Sequence, residues 1–278
     1  MDLWYWRYTL TPRTRLSAVA RPGPREGALL RVGDGYADVH PWPELGDLPL
    51  DEQLARLARG ATTRLTSASL VCAELDGQAR VAGRSLFAGL TIPLSHWTGE
   101  DAPDAFDTVK LKGIPASWPD KRLRLDFNAT LTAEEFVRIA ETLPHERIDF
   151  VEDPCPYDPA VWRALRERTG LRLALDRETA TDAVDLLVVK PALGGQWMEG
   201  VEMVVTTYFD HPIGQFYAAY VAATNQVSAR NGLFTHVAYE ANAFSERITA
   251  DGARLLPPEG TGLGFDDLLR SLPWKRLG

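Results

Sequence analysis

Residues 108–128 read TVKLKGIPASWPDKRLRLDFN and contain two short apolar runs, each of which ends in ionisable side chains. The first run ends with Lys110 and Lys112, and the second ends with Asp126. The same layout recurs further along the chain, with the terminal charges at Glu152, Asp176 and Lys190. Buried parallel strands that carry functional groups at their carboxyl ends have this pattern.

Short β-rich runs alternate with helical patterns from about residue 90 onwards. The runs cover residues 91–94, 108–111, 123–127, 148–151, 171–175, 186–189 and 203–207, with a weaker run at 233–237. Helical patterns at 132–142 and 159–169 fill two of the gaps. Alternating strands and helices predict parallel strands joined by right-handed crossovers. Because the gaps on either side of Lys190 are short, we predict an α/β fold with an irregular TIM-like (β/α)7β barrel.

The first part of the chain has a different pattern. Aromatic or β-type runs at 3–10 and 28–32 are separated by Gly/Pro-rich sequence, and helical patterns follow at 50–65 and 69–80. We therefore predict a small N-terminal α+β capping domain over residues 1–88, with a contribution from the C-terminal segment. The barrel domain, over residues 89–278, is expected to carry the active site.

Composition limits the class of protein. The chain has 30 Lys and Arg residues against 38 Asp and Glu residues, a formal net charge of −8, which argues against a general nucleic-acid binder. No apolar run is long enough to cross a membrane. The two cysteines, Cys72 and Cys155, lie far apart in sequence, so we expect reduced thiols and a cytoplasmic protein.

Three carboxylates at successive strand ends require a cation, because burying them together without neutralisation is costly. Oxygen ligands from Asp126, Glu152 and Asp176, with room left for water and substrate, suit Mg²⁺. Any one of these charges alone is better explained as an ordinary polar residue after a strand. The ordered series of cations, acids and a further cation favours a site.

Lys110 and Lys112 lie two residues apart on a predicted strand, so their side chains project to the same face. Neighbouring ammonium groups disfavour each other's protonation, and a bound divalent cation adds to this effect. The pair can therefore supply an uncharged amine that acts as a base. A solvated edge strand with two surface lysines would show the same pattern.

Six segments carry a family resemblance in the same order along the chain. They are VKLKG at 109–113, RLDFN at 124–128, FVEDP at 150–154, LALD at 173–176, VVKP at 188–191 and PEGTGLG at 258–264. In this order and spacing they resemble the motifs of the enolase superfamily, and within it the o-succinylbenzoate synthases of menaquinone synthesis. Each motif alone is weak, but the resemblance covers nearly the whole chain, and residues 1–85 resemble the family's capping domain.

The resemblance implies a role for each matched residue. Asp126, Glu152 and Asp176 would hold Mg²⁺, with Mn²⁺ as an alternative ion. Lys112 would remove the proton next to the substrate carboxylate, and Lys190 would stabilise the resulting enediolate from the opposite face. Substrate-binding or supporting roles are implied for Lys110, Arg124, Asn128, Asp153, Thr207 and Gly232. For Arg124, a structural ion pair inside the barrel is an equal alternative.

The implied partner is a small-molecule carboxylate, with neither a nucleic acid nor a membrane, and the implied assembly is a monomer or small homo-oligomer. The implied reaction is the syn dehydration of 2-succinyl-6-hydroxy-2,4-cyclohexadiene-1-carboxylate to 2-succinylbenzoate. One departure from the family pattern is Arg177-Glu178 after Asp176, which makes Glu178 a competing metal ligand.

Three other interpretations remain open. Two opposing lysines also suit an N-succinylamino acid racemase or a dipeptide epimerase, although no D-x-D element of the epimerase kind is present at 206–210. His211 and His236 are further acid–base candidates. The third interpretation is a non-catalytic binding barrel whose charges form structural ion pairs.

Overall fold

The computed structural model describes residues 2–17, 19–176, 182–195, 197–198 and 200–278. An antiparallel sheet and two helices form its first part. The strands are β1 (Leu3–Leu10), β2 (Arg25–Val32) and β3 (Gly35–Val39), paired in chain order. The helices are α1 (Leu50–Ala58) and α2 (Arg64–Val81).

Helix α2 packs closely on β3 at Gly35. A Cβ atom at Gly35 would lie 1.8 Å from the Ala73 carbonyl oxygen, so only glycine allows this approach. The single helix predicted over 50–65 is wrong. The first helix ends at Ala58, Gly60 follows with a left-handed φ of 76°, and Thr63 starts α2 through a capping box.

Seven parallel strands form the central sheet and pair in chain order. They are β4 (Trp97–Thr98), β5 (Thr108–Lys112), β6 (Arg122–Asp126), β7 (Ile148–Glu152), β8 (Leu173–Asp176), β9 (Leu186–Val189) and β10 (Glu202–Val205). Helices α3 (Ala133–Ala140), α4 (Pro159–Thr169) and α5 (Pro212–Thr224) lie between or after them. The predicted α/β class with a TIM-like barrel is confirmed.

Residues Asn231 and Gly232 connect the two edges of this sheet. Asn231 bridges Ser95 beside β4, and Gly232 bridges Thr206 beside β10. The Asn231 N–H donates to the Leu94 carbonyl at 2.9 Å, and the Gly232 N–H donates to Val205 at 2.8 Å. The predicted strand at 233–237 is therefore wrong, because the closing contacts lie two residues earlier and residues 236–238 form a 3-10 turn. The run predicted at 91–94 is also displaced, since β4 begins at Trp97.

The period of two along the strands places an apolar side chain one layer below three of the strand-end charges. Phe150, Ala174 and Val188 belong to one buried cluster inside the barrel. Each precedes a strand-end residue by two positions, namely Glu152, Asp176 and Lys190. These three polar side chains therefore lie above closely packed apolar residues, which limits their freedom of position.

The C-terminal segment returns to the first sheet. The hairpin strands β11 (Ala250–Asp251) and β12 (Arg254–Leu255) are followed by helix α6 (Asp266–Ser271). Strand β13 (Lys275–Arg276) then pairs antiparallel with β1. A domain boundary at residues 88 and 89 stays a prediction. Within the described ranges, no helix has the length and apolar character needed to cross a membrane.

A pair of buried carboxyl groups lies where β3 meets the loop before α5. A Cβ at Gly214 would lie 2.7 Å from Asp210 Oδ2 and 2.9 Å from Asp38 Oδ2, so both acids face the same glycine. The Tyr8 hydroxyl donates to Asp38 Oδ1 at 2.6 Å, and the His211 N–H donates to Asp38 Oδ2 at 2.9 Å. Within the described residues, Asp210 Oδ1 has no partner. Burial raises the pKa of Asp38 well above its usual range and the pKa of Asp210 to about 7.

We predict that Asp210→Asn stabilises the protein at pH 8. A carboxyl whose pKa is raised in the folded state binds its proton more tightly than in the unfolded chain. The free energy of unfolding therefore falls as the pH rises from about 4 to about 7, and a neutral amide removes this loss. Thermal unfolding should give a higher Tm for the variant at pH 8, with the difference shrinking toward pH 4. The exposed Asp34→Asn serves as the control, and an Asp210→Asn protein that is less stable at pH 8 would contradict the prediction.

Candidate active site

A cavity of about 560 Å³ opens at the carboxyl ends of the barrel strands. Its barrel side includes Lys110, Lys112, Glu152, Asp176 and Lys190. Its other side is formed by Ser17, Val19, Trp42 and Glu44 from the N-terminal part of the chain. The strand ends and the loops around the first sheet therefore enclose one common space.

Three carboxylates follow one another along the edge of the sheet. Asp126 ends β6, Glu152 ends β7 and Asp176 ends β8, and the Cα atoms of Asp126 and Glu152 are directly paired. Burial raises the pKa of Glu152, and the nearby charge of Asp126 raises it further. Burial also acts to raise the pKa of Asp126, but Lys110 and Lys112 outweigh it and hold that pKa below its usual value.

Three lysine side chains contact these acids. Lys110 Nζ donates to both carboxylate oxygens of Glu152 at 2.6 Å each and lies 2.9 Å from Asp126 Oδ2. Lys112 forms an ion pair with Asp126, and Lys190 forms one with Asp176. The side chain of Lys112 is 25% exposed, against 10% for Lys110, so it is the more accessible amine of the pair.

The pKa of Lys110 departs from the sequence prediction, in which Lys110 and Lys112 disfavour each other's protonation. Burial lowers the pKa of its amine, but Asp126, Glu152 and Asp176 together outweigh burial and raise it above the usual value. Asp126 and Glu152 are in direct contact with the Lys110 amine and favour its charged form. Lys110 is therefore a permanent cation of this cluster.

Lys112 and Lys190 lie on widely separated strands of the same sheet. Lys112 ends β5, and Lys190 directly follows β9, so the three strands that carry the acids lie between them. Because the sheet curls around a common interior, both amines line the same cavity from different sides. A planar ligand in this cavity could meet one amine on each face.

Asn128 and Asp153, which follow the ends of β6 and β7, hold Asp126 and Asp176 in place. Asn128 and Asp153 adopt left-handed backbone conformations, with φ of 50° and 44°. The Asn128 N–H donates to Asp126 Oδ1 at 2.9 Å, and Asp153 Oδ1 accepts the Asp176 N–H at 3.0 Å. Burial raises the pKa of Asp153 well above its usual range, as does the neighbouring Asp176. Both residues line the cavity and shape the turns that present the acids.

Arg124 lies inside the barrel, below the cavity. Its Nε donates to Asp149 Oδ2 at 2.9 Å, and its guanidinium carbon lies 4.6 Å from the centre of the Phe150 ring. These contacts agree with the second interpretation of Arg124, a structural ion pair inside the barrel. The two histidines considered as acid–base groups do not lie at the cavity, because neither His211 nor His236 is among the residues that line it. Glu178 lies outside the described residues.

Sequence reasoning missed several cavity residues. His96 precedes the two-residue strand β4, which is too short to give a clear pattern. Glu44 lies in a 3-10 turn, Pro43–Leu45, and forms a bidentate ion pair with Arg25, at 2.6 and 2.9 Å. Arg25 stacks 3.9 Å from the centre of the Trp42 ring. Arg25 lowers the pKa of Glu44 to about 2. No local sequence signal marks Glu44, because its place is set by a partner 19 residues away.

Thr207 and Gly232 lie beside the closing contacts of the barrel. The Thr207 and Thr235 hydroxyl oxygens are 2.7 Å apart. A Cβ atom at Gly232 would lie 2.7 Å from Thr206 Cγ2 and 3.1 Å from His96 Cε1 and Nε2. Gly232 therefore leaves space that any other residue would fill.

We predict that Gly232→Ala lowers the free energy of unfolding by about 1–3 kcal/mol, because the added methyl overpacks this wall. Thermal and chemical unfolding measure the change. Adding Thr206→Ser to the Gly232→Ala protein removes the Thr206 Cγ2 methyl, which is the nearest obstruction. The double variant should recover part of the lost free energy of unfolding. A Gly232→Ala protein as stable as the wild type would contradict this packing.

The chemistry of the donor set fits a divalent cation. Within the described residues, no three His, Cys, Asp or Glu side chains are arranged to hold a metal ion, and the side chains paired with the acids are those of Lys110, Lys112 and Lys190. Lys110 Nζ nevertheless contacts carboxylates from two neighbouring strands, so one cation can reach both. Carboxylate oxygens are the ligands that hard cations such as Mg²⁺ prefer.

Comparisons with known proteins agree with this architecture. Residues 3–79 match the O-succinylbenzoate synthase N-terminal domain, and residues 102–188 match the enolase C-terminal domain-like family. A dipeptide epimerase from Cytophaga hutchinsonii, complexed with Mg and the dipeptide D-Ala-L-Val, superposes with a TM-score of 0.76 at 15% identity, covering 100% of this chain and 99% of that one. The L-Ala-D/L-Glu epimerase of Bacillus subtilis gives 0.73 at 16% identity, covering 94% and 97%. The fold is therefore that of enolase-superfamily enzymes.

A full-length relative narrows this class. The o-succinylbenzoate synthase of Bdellovibrio bacteriovorus is 33% identical over an alignment that covers 98% of both chains. The chain belongs to the o-succinylbenzoate synthase family of the enolase superfamily. The family resemblance seen in the strand-end motifs is confirmed.

Proposed function

We propose that this protein is an o-succinylbenzoate synthase, a hydro-lyase of menaquinone biosynthesis. It converts 2-succinyl-6-hydroxy-2,4-cyclohexadiene-1-carboxylate to 2-succinylbenzoate by Mg²⁺-dependent syn dehydration. The observation that carries the proposal is the placement of Lys112 and Lys190 on one cavity, with three acid-bearing strands between them. Two free, buried cysteines agree with a cytoplasmic location.

Asp126, Glu152 and Asp176 would hold the metal ion. When bound, Mg²⁺ supplies positive charge beside the substrate carboxylate, which favours the negative charge that develops as the α-proton leaves. Asn128 and Asp153 keep the acids oriented through their backbone turns. Lys110 remains a cation that neutralises Asp126 and Glu152 and adds to the same field.

Lys112 acts as the base. Its uncharged Nζ takes the proton from the carbon next to the carboxylate, and the electron pair of that C–H bond moves into the enediolate. The C–O bond to the ring hydroxyl then breaks, and the proton on Nζ passes to the departing hydroxide to form water. Because both groups leave from one face, one amine can serve both steps, and ring aromatisation drives the elimination.

Lys190 acts from the opposite side as an ammonium ion. Its ion pair with Asp176 fixes the amine at the cavity wall. A fixed positive charge placed where negative charge develops lowers the barrier without reorganisation at the moment of reaction. The two lysines therefore have different tasks although they are the same type of residue.

We predict that Lys112→Ala lowers the rate of aromatic product formation by at least about a thousandfold, since no base remains on that face. An ultraviolet absorbance assay with the cyclohexadiene substrate measures the rate, and circular dichroism checks the fold. Lys275→Ala, at an exposed lysine of β13, is the matched control and should keep normal activity. Turnover of Lys112→Ala close to that of the wild type would remove Lys112 as the base.

Racemisation is the second candidate function, favoured by the epimerase neighbours and by two amines on one cavity. Incubation of the wild-type protein with an N-succinylamino acid in D₂O distinguishes the two reactions. α-Deuterium exchange without aromatic product from the cyclohexadiene substrate would support racemisation. Failure of both reactions and of Mg²⁺ binding would support a binding barrel.

We predict that Asp176→Asn weakens Mg²⁺ binding by at least about tenfold, because a neutral amide replaces a charged ligand. Isothermal titration with Mg²⁺ gives the affinity, and Asp251→Asn at an exposed position is the control. An unchanged affinity in Asp176→Asn would assign the third ligand position to another acid, with Glu178 as the first to test.

A further inference from the structure

His96 lies on the cavity wall beside the closing contacts of the barrel. Its imidazole is buried, with a relative exposure of 2%, and lines the same cavity as the lysines. It precedes the cavity residue Thr98 by two positions, so its side chain lies one layer deeper in the barrel. Its backbone N–H donates to the Asn231 carbonyl at 2.9 Å, which fixes it against the closing segment.

Arg124 determines which ring nitrogen of His96 carries the proton. Arg124 Nη1 lies 2.8 Å from His96 Nδ1, and a guanidinium has donors but no acceptor. Nδ1 must therefore accept this hydrogen bond, and the proton of the neutral ring lies on Nε2. Burial lowers the pKa of His96 well below its usual value, and the charges of Arg124 and Lys110 lower it further. Together they outweigh a hydrogen bond with the Arg230 backbone, which acts to raise this pKa, and so favour the neutral ring.

Arg124 is itself held firmly. It donates to Asp149 Oδ2 at 2.9 Å and also to the Arg230 carbonyl oxygen. Asp149 has a second cationic partner in Arg122, at 2.8 Å. The ion pair below the cavity thus fixes the hydrogen bond that orients the imidazole.

The Nε2–Cε1 edge of the ring faces Gly232. A side chain at position 232 would come within 3.1 Å of both ring atoms, so the glycine leaves that edge accessible from the cavity. Nδ1 is engaged by Arg124 Nη1. Nε2–H is thus a donor at the Thr206–Gly232 side of the cavity.

We propose that His96 is a substrate-binding residue, which donates its Nε2–H to an oxygen of the bound carboxylate substrate, and that Arg124 is the positioning residue that fixes this tautomer. The assignment rests on the proposed synthase function. A neutral, fixed donor binds an oxygen anion or carbonyl without transferring a proton. It therefore contributes to substrate binding at a point away from the two lysines.

The test uses His96→Phe, which has no donor, and His96→Gln, whose amide can place an N–H close to the position of Nε2. In the dehydration assay, His96→Phe should raise KM by at least about tenfold, and His96→Gln should recover most of that loss. His145→Gln, at a histidine outside the cavity, is the control. Normal KM in His96→Phe would overturn the proposal, whereas an inactive wild-type protein would overturn the synthase function instead.

Nitrogen-15 NMR of histidine-labelled protein tests the positioning role of Arg124 independently of turnover. The His96 signals should show an Nε2-protonated neutral ring between pH 5 and pH 9, and 2-succinylbenzoate should shift the Nε2–H signal. Arg124→Met should allow the Nδ1-protonated tautomer, while Arg122 remains to pair with Asp149. An imidazolium, an Nδ1-protonated ring in the wild type, or a ring unaffected by a bound product would overturn the assignment.

Discussion

The mutual repulsion of buried carboxylates at the strand ends is the constraint on which this site depends. Asp126 and Glu152 are only 3% and 2% exposed, and their backbones are directly paired in neighbouring strands. Two anions in such a place require cations within contact distance. Lys110 provides one. At the same edge of the sheet, Lys112 pairs with Asp126 and Lys190 pairs with Asp176. The lysines that compensate the buried acids are therefore the same amines that line the cavity.

The cavity combines two sources of residues with different tasks. The strand ends supply acids and amines, supported from below by Phe150, Ala174 and Val188. The N-terminal loops supply Trp42 and the neutralised Glu44, which close the other side. Rigid strands suit the groups that must meet a reacting carbon, and loops suit the groups that recognise the rest of the substrate. The epimerase neighbours share this barrel fold.

Local sequence was sufficient where an element carries its own signals. Helix α4 lies where it was predicted, at Pro159–Thr169, because Asp158 caps its start and Gly170 ends it in a left-handed conformation. The strand-end acids were found because an apolar run precedes each of them. The contacts at Asn231 and Gly232 could not be predicted, since they depend on two distant sheet edges. For the same reason, the raised pKa of Lys110 follows from acids on other strands, and the tautomer of His96 from Arg124.

An anomalous diffraction map of crystals grown with Mn²⁺ and 2-succinylbenzoate tests whether the acids and amines meet around one substrate. We expect one metal peak in contact with carboxylate oxygens of Asp126, Glu152 and Asp176. We also expect the Nζ atoms of Lys112 and Lys190 on opposite faces of the product ring. A metal held elsewhere, or both amines on one face of the ring, would contradict this arrangement.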